Sequence, residues 1–148
     1  MKVFITALAL AAAVTLNAFP IRNMNKGDVV NLSKLNYTKS DTTKTGTKLL
    51  FIWNSEKRLS KKQYVSFSKL CSEKKVICLA LDTAGKTSND KAVRTLTDKT
   101  GYINDWLIVA LPLTIILDSK DRIVDAFGYE GQYLEKMSET LKTLRKTN

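Results

Sequence analysis

The run Lys48-Leu49-Leu50-Phe51-Ile52-Trp53 constrains the fold of this chain most. A strand with one face in water alternates apolar and polar side chains, whereas a strand covered on both faces reads as an unbroken apolar run. This segment is therefore predicted to be a central strand with helices packed on both sides. A second run of the same kind, Val76-Ile77-Cys78-Leu79-Ala80-Leu81, ends at Asp82. Between them, Ser60-Lys61-Lys62-Gln63 has the spacing of a capping box, in which the Ser60 hydroxyl accepts from a first-turn amide while Gln63 reaches back. That predicts a helix from about Ser60, with Tyr64, Phe67, Leu70 and Cys71 on one apolar face and Glu73-Lys74-Lys75 as its polar exit. Two strands joined through a helix are expected to run parallel by a right-handed crossover.

Further along, Ser88 reads as the N-cap of a second helix with Ala92, Val93 and Leu96 inward, and Gly101 as its left-handed C-terminal residue. Tyr102 to Leu111 is apolar without a period and reads as a connection packed on the core. From Pro112 the chain offers Leu113-Thr114-Ile115-Ile116-Leu117, the turn Asp118-Ser119-Lys120-Asp121, and Arg122-Ile123-Val124-Asp125-Ala126-Phe127. This is an antiparallel hairpin. Gly128 to Gly131 breaks the pattern before a terminal helix with Tyr133, Leu134, Met137, Leu141 and Leu144 on its apolar face. Upstream, Gly27 to Leu32 reads as a short strand and Tyr37 to Thr47, rich in Thr, Lys, Ser and Gly, as a loop.

Met1 to Ala18 carries one cation, Lys2, an uncharged run to Leu16, and Leu16-Asn17-Ala18 as a cleavage site before Phe19. It reads as a secretory signal peptide, because the run is shorter than the roughly 20 apolar residues that span a bilayer. The next candidate, Trp106 to Leu117, is shorter still and contains Pro112. A periplasmic or secreted protein is expected, in an oxidising compartment where Cys71 and Cys78 are able to pair. The formal net charge is +10 with no histidine, and loss of Lys2 with the signal removes one positive charge. Lysines are spread along the chain, which fits a solvated basic surface or attraction to anionic polymers and membranes. No aromatic and basic interleaving or recognition helix points to a specific nucleic acid. Lack of histidine removes the commonest metal ligand and general base; no metal cluster, phosphate loop or Ser-His-Asp set is present in the sequence, and no cofactor is expected.

The order strand, helix, strand, helix, hairpin, helix, with a proline directly before the hairpin, resembles the thioredoxin-like superfamily. Its exported TlpA-like and peroxiredoxin-related branch is the nearer likeness. The likeness is carried by Leu49-Leu50-Phe51-Ile52-Trp53, by Leu111-Pro112 and by Thr114 to Val124, and covers roughly Gly27 to Leu144. It implies an α/β thioredoxin-like fold, a central mixed β-sheet flanked by helices, over residues 48–148, after a signal peptide at 1–18 and an N-terminal extension at 19–47. In the family, a CxxC pair opens the first helix a few residues past the aromatic end of the central strand. Counting from Trp53, the matching positions are Lys57-Arg58-Leu59-Ser60, without a cysteine. A thiolate is required for disulfide exchange, and a lysine at the nucleophile position cannot supply one.

Cys71 and Cys78 flank the turn after the first helix, close enough for a structural bridge; buried free thiols and a redox pair are the other readings of them. Leu111-Pro112 matches the family's cis-proline position, which implies a main-chain edge for an extended substrate, against a plain strand-opening proline. Trp53 and Trp106 read first as core. The leading expectation is a non-catalytic exported protein that binds another exported protein or peptide, as chaperone or assembly factor, through Lys57 to Ser60 and Pro112. A thiol oxidoreductase using Cys71 and Cys78, and a basic adaptor for anionic surfaces, are the rivals.

Overall fold

The computed structural model describes residues 19–38, 46–73, 75–128 and 133–146. The signal peptide expected at 1–18, most of the loop expected before Thr47, and the Gly128 to Gly131 break past Gly128 lie outside the described residues. The apolar run forms strand β1 (Lys48–Trp53), in which Leu49, Leu50, Phe51 and Ile52 are all fully buried. Alternation sends Leu50 and Ile52 into one core and Leu49 and Phe51 into another on the opposite face. Two cores on two faces explain why the run has no polar break.

Helix α1 (Arg58–Glu73) follows, then β2 (Ile77–Asp82), β3 (Arg94–Leu96), β4 (Leu113–Leu117), β5 (Ile123–Phe127) and helix α2 (Tyr133–Lys146). The five strands form one mixed sheet in the order β3-β2-β1-β4-β5. β1 pairs parallel with β2 and antiparallel with β4, so Trp53 lies opposite Asp82 and Phe51 opposite Thr114. The β4–β5 hairpin pairs antiparallel, as its sequence predicts. One face is covered by the two helices: Phe67, Leu70 and Cys71 of α1 and Met137 and Leu141 of α2 close over Leu49, Phe51 and Ile116. The ring of Phe67 stacks on Phe51 at 4.7 Å.

The other face departs from the expectation of helices on both sides. It is covered by the segment 19–38, which buries Ile21, Val30, Leu32, Leu35 and Tyr37, and by Trp106. Among the described residues, the regular pieces there are short 3-10 turns at Leu32–Leu35 and Tyr102–Trp106. The strand expected over Gly27 to Leu32 reduces to a single bridge between Val29 and Arg122. The helix expected after Ser88 is absent. Ser88 Oγ accepts from the Asp90 amide at 3.2 Å and Asp90 Oδ1 from the Ala92 amide at 2.9 Å, side-chain turns that compete with helix. β3 then pairs parallel with β2 from Arg94. Gly101 does have a left-handed φ of 72°, but it precedes the Tyr102–Trp106 turn instead of ending a helix.

Two bonds tie the start of the sheet. Lys48 Nζ meets Asp121 Oδ1 at 2.7 Å, both side chains nearly buried, which joins the first residue of β1 to the hairpin turn. Cys71 and Cys78 form a disulfide, with Cα atoms 6.0 Å apart, between the last turn of α1 and β2.

Candidate functional site

β1 ends at Trp53, and the chain turns into α1 through Asn54 to Lys57. Asn54 builds the turn: its carbonyl accepts from the Lys57 amide at 3.0 Å and its Oδ1 from the Glu56 amide at 2.9 Å. The capping box predicted at Ser60 does not form, because α1 already begins at Arg58. Ser60 sits inside the first turn, 1% exposed, and its Oγ accepts from the Asn54 amide at 3.3 Å. Gln63 is buried with Oε1 unpartnered, so it does not reach back to the helix start.

Asp82 holds the same turn from the end of β2. Its Oδ1 accepts from the Ser55 amide at 3.0 Å and the Ala84 amide at 2.9 Å. Burial pushes this carboxyl up, but the hydrogen bonds from Ser55 and from the amides of Ala84 and Lys86 outweigh it and hold Asp82 below the usual carboxylate range. A similar anchor, Asp90, accepts from Ser68 and from Tyr64 (3.1 Å) and ties the β2–β3 loop to α1. The Ser68 hydroxyl is the main cause that lowers Asp90, while burial raises the Tyr64 phenol. Sequence reasoning missed Asp90; the Ser88-x-Asp90 spacing is the signal for a side-chain turn that was available.

The structure brings the predicted Lys57, Arg58, Leu59 and Ser60 opposite Leu111. Together with Asn54, Ile108, Val109 and Ala110 they line an open groove of about 630 Å³. The Leu111–Pro112 peptide is cis; Leu111 lines the groove while Pro112 is buried. Leu59 and Val109 are 53% and 57% exposed, so both walls offer apolar surface to solvent. The far wall rests on the N-terminal segment: the Val109 amide donates to the Pro20 carbonyl at 2.9 Å, the Arg22 amide donates to the Leu107 carbonyl at 3.1 Å, and Ile108 bridges Ile21. Among the described residues, no main-chain hydrogen bond involves Ala110 or Leu111. The wall residues Ile108, Val109 and Ala110 escaped the sequence reading because Tyr102 to Leu111 has no period to interpret.

Neither tryptophan lines this groove. Trp53 stacks on Tyr64 at 4.4 Å under α1, and Trp106 is 2% exposed in the opposite core. Cys71 and Cys78, 7% and 4% exposed, lie at the other end of α1. From Arg58 to Cys71 the helix rises by about 20 Å. A second cavity of about 350 Å³ lies beside the β2–β3 connection, lined by Asp82, Lys86, Leu96, Asp98 and Lys99 among others. There Asp98 is committed to the amides of Tyr102 and Ile103. Among the described residues, no group of three or more His, Cys, Asp or Glu is placed to hold a metal ion, and no helix is long and apolar enough to cross a membrane.

No protein-family model and no curated protein matches the chain. Solved structures do. The exposed lipoprotein thioredoxin of Streptococcus pneumoniae superposes with a TM-score of 0.54 at 15% identity, over 72% of this chain and 90% of that one. A PrxQ variant from Xylella fastidiosa gives 0.58 at 17%, over 82% and 98%. Peroxidoxin BcpB of Mycobacterium tuberculosis gives 0.55 at 15%, over 84% and 99%. At these identities the comparison shows the fold: the architecture is thioredoxin-like.

Proposed function

We propose that this chain is a non-catalytic, exported thioredoxin-like protein that binds an extended segment of another exported protein, as a chaperone or assembly factor. The groove between Lys57–Ser60 and Ile108–Leu111 is its binding site. The observation that carries this reading is the pairing of exposed apolar walls, Leu59 and Val109, with main-chain groups at Ala110 and Leu111 that have no main-chain partner among the described residues. Free main-chain groups beside apolar side-chain surface suit strand addition by an extended peptide. Disulfide exchange at the same place needs a thiolate, and Lys57 and Ser60 supply none. Export rests on the leader pattern of Met1 to Ala18, and one protein of similar fold is itself described as an exposed lipoprotein thioredoxin.

The test is photo-crosslinking in the exported compartment from benzophenone side chains placed at Leu59 or Val109, with Val65 as the control. Val65 is also exposed and apolar, at 69%, but lies outside the groove. Specific adducts from the groove positions alone are expected. Equal labelling from Val65 would remove the groove from the account.

The Cys71–Cys78 disulfide supports a second reading, a thiol oxidoreductase. Burial of both residues works against it, because an attacking thiolate must reach a sulfur. Rapid alkylation of either cysteine in the folded, mildly reduced protein would favour that reading.

A further inference from the structure

We infer that the groove selects extended partner segments in which acidic side chains flank a bulky apolar one, an inference that rests on the groove being a peptide site. Its ligand chemistry follows from an unusual concentration of charge. Lys57, Arg58, Lys61 and Lys62 crowd the start of α1, and Glu56 is the single acidic residue from Asn54 to Gln63. All four cationic residues are exposed, and the ion pairs among the described residues involve none of them. The first turn of α1 contains no acidic residue. Cations at this end oppose the helix dipole, and Arg58 repels Lys61 and Lys62 at three- and four-residue spacing. An anionic group seated beside Lys57 and Arg58 relieves both conflicts.

The rest of the groove sets the other requirement. Leu59, Ile108, Val109 and Leu111 give apolar contact directly beside the charged rim. Successive side chains of an extended peptide point to opposite sides while its main chain pairs with Ala110 and Leu111, so neighbouring acidic and apolar residues turn toward different walls of the groove. A second copy of this chain is a poor occupant, because two strongly basic bodies repel: the full sequence has a formal charge of +10 and loses only the Lys2 charge with its leader. The occupant is therefore a partner protein's acidic, apolar segment.

Titration calorimetry on the protein at about 50 mM salt tests this with peptides alternating aspartate and leucine, asparagine and leucine, or aspartate and alanine. The aspartate–leucine peptide is expected to bind about tenfold more tightly than either of the others, and the advantage over the asparagine peptide is expected to shrink as salt rises. The double variant Lys57→Glu, Arg58→Glu is expected to abolish that advantage, and Leu59→Ser with Val109→Ser to weaken every leucine peptide. Equal binding of aspartate and asparagine peptides, still sensitive to Leu59→Ser and Val109→Ser, overturns the acidic preference and leaves the peptide groove standing. Equal binding of leucine and alanine peptides overturns the apolar requirement and favours a general anion surface. Binding insensitive to both sets of variants, or no binding by any peptide, overturns the inference and the groove reading together. Dimerisation abolished by Val109→Ser assigns the groove to a second copy and overturns the inference.

Discussion

The two ends of α1 carry opposite halves of what thiol chemistry needs. At the first end, Lys57 to Ser60 open onto a groove that solvent reaches, but they offer an ammonium and a hydroxyl where exchange needs sulfur. At the last end, Cys71 and Cys78 provide sulfur but are bonded to each other and packed among Leu49, Phe67, Met137 and Leu141. Access and nucleophile are thus separated along one helix. The groove end is organised by hydrogen bonds that turn amides donate to Asn54, Ser60 and Asp82, whereas the disulfide end is organised by packing. Perturbing one end should leave the other intact.

The largest change in activity is expected from putting sulfur where access already exists. Lys57→Cys with Ser60→Cys should raise insulin-disulfide reduction by about tenfold or more over background, since the amides of a helix start stabilise a thiolate. An inactive double variant would show that the turn at Asn54 does not present residue 57 as a nucleophile. Next, Phe67→Ala removes a fully buried ring that stacks on Phe51 in the core shared with the disulfide, and should cost about 3–5 kcal/mol in urea unfolding. Because Phe67 is midway along α1, this variant is the one expected to weaken both ends. Replacing both cysteines by serine should cost about 2–3 kcal/mol, as expected for a short closed loop, without altering peptide affinity in the groove.

A smaller effect separates the ends by pH. Asp82, Asp90 and Asp118 all have folded-state values below their unfolded ones. Their contribution is therefore complete above the unfolded carboxylate range near pH 4 and is lost as pH falls through the folded values. Asp82→Asn keeps an acceptor for the Ser55 amide but removes the titration, so it should cost about 1 kcal/mol at neutral pH and flatten the acid limb of the stability curve. The groove turn should loosen in acid before the disulfide end does, as read by amide exchange at Ser55 and Cys78.

The sequence made much of this visible, and unevenly. Continuous apolar runs marked β1, β2 and β4 because burial on two faces leaves no choice of side chain. The periodic face of Tyr64, Phe67, Leu70 and Cys71 marked α1. β3 was hidden, since a three-residue strand has no period and its approach is shaped by the Ser88 and Asp90 side chains. The cover provided by Ile21, Leu32 and Leu35 was hidden for the same reason: irregular backbone buries side chains without a repeat. Counting from Trp53 located one wall of the groove, while the opposite wall is held by the Pro20, Ile21 and Arg22 backbone, a long-range pairing that local pattern does not encode.

That the groove binds without exchanging disulfides is a proposal. It is tested most directly by the rate at which the unaltered protein reduces insulin disulfides with dithiothreitol present, compared with the same protein carrying Cys71→Ser and Cys78→Ser. Both rates are expected to equal the background reaction. A rate well above background in the unaltered protein, lost in the serine variant, would contradict it.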